Sequence, residues 1–156
     1  MDRVEGARFD ANYPHIFLTF GASDPIDHGD LAKKKIYPTL WWLFRDNLLP
    51  TGTIFYGYAR SKLTVDELRA RCDPYMQVKP DEQIRYDEFW RMNHYFAGSY
   101  DQRRDFELLN QELEQFEKVP HANRLFYLAL PPSVFESVTR LIKETCLGKK
   151  MESYHH

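Results

Sequence analysis

The chain has 156 residues, and 21 Lys and Arg against 23 Asp and Glu leave a formal net charge of −2, with no basic excess for gripping nucleic acid phosphates or an anionic membrane surface. A hydrophobic content of 43%, including 3 Trp, 10 Tyr and 11 Phe, supplies one core and excludes global disorder. The longest run without an acidic or basic side chain, Asn47 to Ala59, contains Asn, Pro, Gly and Thr and falls short of the roughly 18 to 20 apolar residues of a membrane span.

In chain order, residues 1–14 are polar and mixed in charge, carry no secretory pattern, and read as a flexible N-terminal segment. His15 to Phe20 is compact, aromatic and β-branched and stops at Gly21, as a strand buried on both faces does. From Asp30 to Arg45, Ala32, Ile36, Leu40 and Leu43 recur at helical spacing, and Pro38 inside this helix predicts a kink or an early end. Asn47 to Gly52 is a loop, and Thr53 to Ala59 a second buried strand ending at Arg60. Thr64 and Glu67 stand at capping-box spacing before a helix with Leu68 and Cys72 on its inner face, ended by Pro74.

Pro80 opens a further helix to about Met92, with Ile84 and the Phe89-Trp90 pair as expected anchors. His94 to Gly98 reads as a third strand, and Asp105 to Phe116 as a helix with Phe106, Leu109, Leu113 and Phe116 on one stripe. Leu125 to Leu130 is a fourth strand closed by Pro131-Pro132. Ser133 and Glu136 then repeat the capping-box spacing before Val134, Val138, Leu141 and Ile142. Strands and helices alternate throughout, which implies right-handed crossovers and an α/β fold, a mostly parallel sheet with helices on both faces. In a doubly wound sheet the first and fourth strands meet at the switch point, so the chains leaving Gly21 and Leu130 should flank one crevice.

Several residues at that crevice carry chemistry. Gly21-Ala22-Ser23 followed by Gly29-Asp30-Leu31-Ala32 has the ingredients of a phosphate-binding turn: glycines, free N–H groups and a helix N-terminus. The two glycines lie farther apart than in a compact phosphate loop, so a plain strand-to-helix turn is the other reading. At the end of the second strand, where dinucleotide folds meet the adenosine ribose, Arg60-Ser61-Lys62 is cationic and no acid occurs before Asp66. A 2′-phosphate suits that charge, and a solvated surface arginine is the alternative. Cys72 and Cys146 are too few and too far apart for a disulfide scaffold or a zinc cluster, and a reduced, cytosolic compartment follows. Cys72 reads as a core thiol, Trp41, Trp42 and Trp90 as packing residues, and His15, His94 and His121 as strand-flanking or loop residues.

Three stretches, Gly29 to Asp46, Gly57-Tyr58-Ala59-Arg60-Ser61, and Asn123 to Pro132, resemble the amino-terminal domain of the glucose-6-phosphate dehydrogenase family, and the resemblance extends from about His15 to Cys146. It implies a Rossmann-like domain over 15–150, incomplete with about four strands, followed by a divergent tail over 151–156. It implies NADP as cofactor, with Gly21, Ala22, Ser23, Gly29, Asp30, Leu31, Ala32 and Lys33 matching the phosphate-loop motif, Arg60 the 2′-phosphate contact, and Tyr127 and Tyr95 cofactor-contacting tyrosines. The family oxidises glucose 6-phosphate at C1 to 6-phosphogluconolactone with NADP as hydride acceptor, the step that feeds the pentose phosphate pathway.

Two departures accompany the likeness. The family pattern runs Gly-Ala-Ser directly into Gly-Asp-Leu-Ala, so Asp24 to His28 form a five-residue insertion. Its two carboxylates oppose a phosphate, at about 4 kcal/mol per like-charge pair at roughly 4 Å in an effective dielectric of about 20. Weakened or abolished NADP binding is expected, the alternative being that the five residues bulge into solvent and leave the glycines near their usual places, since loop lengthening alone is entropically cheap. Ile26-Asp27-His28 lacks the flanks of the family's catalytic histidine motif. The segment that would carry the substrate-binding lysine, the catalytic His-Asp pair and the dimer interface is not expected here, so no catalytic residue, no metal site and no turnover by the isolated chain are expected, and the alternatives to a dehydrogenase part are a non-catalytic NADP-binding fragment or an inert truncated one.

Overall fold

The computed structural model describes residues 15–22, 31–117 and 123–147. The expected flexible segment 1–14, the insertion Asp24 to His28 and the tail 151–156 lie outside the described residues. Four strands, β1 (His15–Phe20), β2 (Ile54–Ala59), β3 (Asn93–Ala97) and β4 (Asn123–Leu128), form one sheet in the order β3-β2-β1-β4. Every pairing is parallel: Phe20 lies opposite Tyr58 of β2 and Leu128 of β4, and Tyr58 opposite Phe96 of β3. The first and fourth strands are therefore neighbours, and the chain reverses its winding direction between them.

Parallel strands need crossovers: α1 (Tyr37–Arg45) lies between β1 and β2, α2 (Val65–Cys72) and α3 (Gln83–Arg91) between β2 and β3, and α4 (Arg103–Glu114) between β3 and β4, while α5 (Pro132–Thr145) follows β4. Side chains alternate across the pleat and divide the core into two layers. Ile16, Leu18, Phe20, Tyr56 and Tyr58 face α4 and α5, meeting Phe106, Leu109, Leu113, Val138, Leu141 and Ile142. Phe55 and the partly buried Phe17 face the other way, against Tyr37, Leu40, Trp41, Leu68, Cys72, Phe89 and Trp90 of α1, α2 and α3. Burial pushes the Cys72 thiol up to about 12, as suits a core thiol.

Three local expectations are corrected. Pro38 does not end its helix. Ala32–Ile36 forms a π-helical turn in which the Tyr37 N–H reaches back to the Ala32 carbonyl, and α1 continues from it with Pro38 in its first turn, where a missing N–H costs little. Ile84 is 79% exposed because the inward stripe of α3 is Tyr86, Phe89 and Trp90, and a residue two before Tyr86 points to the opposite side. Ser133 makes no cap: α5 starts at Pro132, with Pro131 as N-cap, and the two prolines bring no N–H donors that would require one. Thr64 and Glu67, by contrast, form the full reciprocal capping box of α2. Trp41 and Trp90 are buried as expected, whereas Trp42 is 39% exposed.

Candidate cofactor-binding site

In a parallel sheet the ligand edge is the one where the strands end, and the candidate residues gather there. Gly21 follows β1 with φ +90°, a conformation that favours glycine. Its N–H donates to the Tyr58 carbonyl at 2.7 Å, and the Ala129 N–H donates to the Phe20 carbonyl at 2.9 Å. A Cβ on Gly21 would lie 2.1 Å from the Ala129 carbonyl oxygen. The backbones leaving β1 and β4 are thus in direct contact across the switch point, and only a residue without a side chain fits between them.

The next residues bring a helix close to this turn. Ala22 and Ala32 are buried, and Leu31 and Lys33 flank Ala32 at the π-helical turn. Such turns recur at functional sites because they widen one helical coil locally. Gly57 of β2 lets this layer approach: a Cβ there would lie 2.7 Å from the Tyr37 hydroxyl and 3.0 Å from the Ala22 Cβ. The Tyr37 hydroxyl is buried with no hydrogen-bond partner among the described residues, and burial, with Cys72 and Tyr95 nearby, holds its pKa well above the usual phenol range. Ser23, Gly29 and Asp30 lie outside the described residues; of the rest of the phosphate-loop set, Gly21 and Ala22 follow β1, Ala22 and Ala32 share one buried cluster, and Leu31 and Lys33 adjoin Ala32 in the chain.

Arg60 stands exposed immediately after β2, one strand away from Gly21. Its guanidinium carbon lies 5.2 Å from the centroid of the Tyr100 ring, which is 4% exposed. Tyr127 of β4 sits opposite Thr19 of β1 and is 39% exposed, on the face where the α1 to α3 layer includes no β4 residue. Tyr95 belongs to β3 on the same face, where its hydroxyl donates to the Ser61 carbonyl and its ring lies against Gly57. Tyr95 therefore supports the segment just after Arg60, whereas Tyr100 is the aromatic residue beside the guanidinium. Sequence reading missed Tyr100 and the close approach at Gly57. A glycine inside an otherwise aromatic strand was the available signal for the second.

Both described histidines stand back from this edge: His15 opens β1, about 20 Å along the strand from Gly21, and the register sets His94 level with Tyr56 and Leu18, about 10 Å before Gly21 at about 3.3 Å per residue.

A family model described as "Glucose-6-phosphate dehydrogenase, NAD binding domain" matches residues 19–155. The chain belongs to this dehydrogenase family. It is 60% identical over 149 residues to the glucose-6-phosphate 1-dehydrogenase of Ceratitis capitata, a match covering 95% of this chain and 27% of that protein. The corresponding enzyme of Drosophila melanogaster is 62% identical over 144 residues, covering 92% and 26%. A solved structure described as "Glucose-6-phosphate dehydrogenase in complex with its substrate glucose-6-phosphate" superposes with a TM-score of 0.79 at 38% identity, over 88% of this chain and 28% of that one. The chain thus spans about a quarter of the length of these dehydrogenases, and its Rossmann-like α/β architecture is the one their structure shares.

The described residues fit the cofactor that the family name implies. A side-chain-free turn at Gly21 and an exposed cation at Arg60 follow adjacent strands, and no acidic side chain occurs between Ala59 and Asp66 to compete with a ribose phosphate.

Proposed function

We propose that this chain is the cofactor-binding part of an NADP-dependent glucose-6-phosphate dehydrogenase. The observation that carries the reading is the position of Arg60, an exposed guanidinium at the end of β2 beside the Gly21 turn. A carboxylate at that place would accept the 2′-hydroxyl of NAD, whereas a guanidinium offers a bidentate fork to the 2′-phosphate of NADP. Main-chain groups around Gly21 and Ala22, with Ser23 and the stretch Gly29, Asp30, Leu31, Ala32 and Lys33, would hold the pyrophosphate, and Tyr127 would face the ligand from β4. Tyr95 acts by holding Ser61 in place. When bound, NADP supplies the hydride acceptor for oxidation at C1 of glucose 6-phosphate.

Two free, buried thiols support a reduced, cytosolic location. Among the described residues no helix is long and apolar enough to cross a membrane. Calorimetric titration of the chain with NADP and with NAD tests the reading. NADP is expected to bind more tightly, and Arg60→Ala to lose that preference by about tenfold or more, as removal of a charge-assisted contact does. Equal affinity of the parent chain for the two dinucleotides would contradict it.

A further inference from the structure

We propose that Tyr100 is a positioning residue that holds Arg60 for a 2′-phosphorylated adenosine, an inference that rests on the reading of Arg60 above. An arginine on a strand end has many rotamers, and ordering it on binding costs free energy that a preformed support removes. The Tyr100 ring provides such a support, with the guanidinium over its face at 5.2 Å, a distance at which the aromatic quadrupole attracts a cation.

The loop that carries the ring is tied down from three directions. The Gly98 N–H donates to the Ala59 carbonyl at 2.9 Å, directly before Arg60. The Tyr58 hydroxyl donates to the Ser99 carbonyl at 2.5 Å, and the Ser99 N–H donates to Asp105 Oδ2 at 2.8 Å. From α5, Ser137 Oγ donates to the Tyr100 carbonyl at 3.2 Å. A Cβ on Gly98 would lie 2.4 Å from the Tyr58 hydroxyl, so the glycine is what allows β2 to reach this loop. The ring itself packs on Tyr58 with centroids 6.0 Å apart. Tyr58 is the residue whose carbonyl receives the Gly21 N–H, so a single β2 tyrosine braces both the phosphate turn and the arginine support. Asp105 is engaged by the Ser99 N–H and belongs to the loop's own bracing.

The test measures binding of adenosine 2′,5′-bisphosphate and adenosine 5′-monophosphate to the full chain, a pair of probes that differ in the 2′-phosphate and do not need the pyrophosphate turn. The parent chain is expected to prefer the bisphosphate. Tyr100→Phe keeps the ring and should keep the affinity ratio within about twofold, while Tyr100→Leu should lower the ratio by about fivefold to tenfold with monophosphate binding retained. Thermal melts show whether the leucine variant folds. If it does not, Ser137→Ala, which releases the Tyr100 carbonyl without opening the core, should lower the ratio by about twofold. An unchanged ratio in a folded Tyr100→Leu, in its absence an unchanged ratio in Ser137→Ala, or an equal loss in the phenylalanine and leucine variants, would overturn the positioning role. No preference in the parent chain would instead overturn the reading of Arg60 itself.

Discussion

Gly21 and Gly57 show how much at this edge depends on atoms that are missing. One allows two chain exits to touch, the other admits Tyr37 and Ala22 to the sheet, and a methyl group at either position would meet an oxygen at 2.1 or 2.7 Å. The glycine after β1 is plain in the sequence because strands commonly end so, but the partner that forbids a side chain, Ala129, lies at the far end of another strand. His94 makes a different residue-scale point. It stacks on Tyr56 at 5.1 Å and lies 4.8 Å from Phe116, and burial lowers its pKa below 6.5, with only partial opposition from Glu112. The unfolded chain then takes up a proton that the folded chain resists, so this contribution to stability is whole above about pH 6.5 and shrinks as pH falls through the lowered folded value. His15 shifts in the same direction. His94→Phe, which keeps an aromatic ring in the stack, should therefore lose less melting temperature than the parent between about pH 7.5 and about pH 5.5. Parallel declines for the two proteins would show that His94 does not contribute.

Among elements, the helices were legible where their signals are local. The Thr64-Glu67 cap and the Phe106, Leu109, Leu113 stripe depend on neighbours within a turn or two and stand as read, whereas Phe116, read onto the same stripe, lies past the helix end at Glu114 and is only partly buried against the core. The π-helical turn before Pro38 was not legible, because whether a proline bends a helix or is absorbed depends on how the layer packs against Gly57 and β2. Arg124 of β4 is a second feature outside any local pattern. Its side chain is 9% exposed and donates to Glu117 at 2.7 and 2.5 Å, to Asn110 at 2.6 Å and to the Cys146 carbonyl at 2.7 Å, tying β4 to the ends of α4 and α5. Removing one member of so enclosed a pair leaves a carboxylate short of compensation. Arg124→Met should cost about 3 kcal/mol in urea unfolding, and Glu117→Gln less, since a neutral amide can still accept a hydrogen bond. A loss under about 1 kcal/mol for Arg124→Met would place the pair among weak surface bridges.

At the scale of the whole molecule, the four strands in the order β3-β2-β1-β4 form one side of a dinucleotide fold and its switch point, with the ligand edge assembled from three strand ends. Of the described histidines, His15 opens β1 and His94 is packed against Tyr56 and Phe116, and a base must be within hydrogen-bond reach of the hydroxyl it deprotonates. The purified chain supplied with glucose 6-phosphate and NADP is therefore expected to form no NADPH by absorbance. Deleting residues 24–28 should tighten NADP binding about tenfold or more while leaving turnover absent, because two carboxylates and a proline leave the phosphate turn together. Equal NADP affinity with and without the five residues would show that the insertion projects away from the phosphates.

The sequence by itself determined the strand and helix order, the parallel α/β class, the crevice between the exits of β1 and β4, and the family. Those properties follow from short-range periodicity, from capping and turn chemistry, and from long ordered motifs. Only the tertiary structure decided which residues meet there. Arg60 rests on Tyr100 because β2 and β3 pair in parallel and the loop leaving β3 folds back beneath the end of β2, a contact between residues that no local spacing relates.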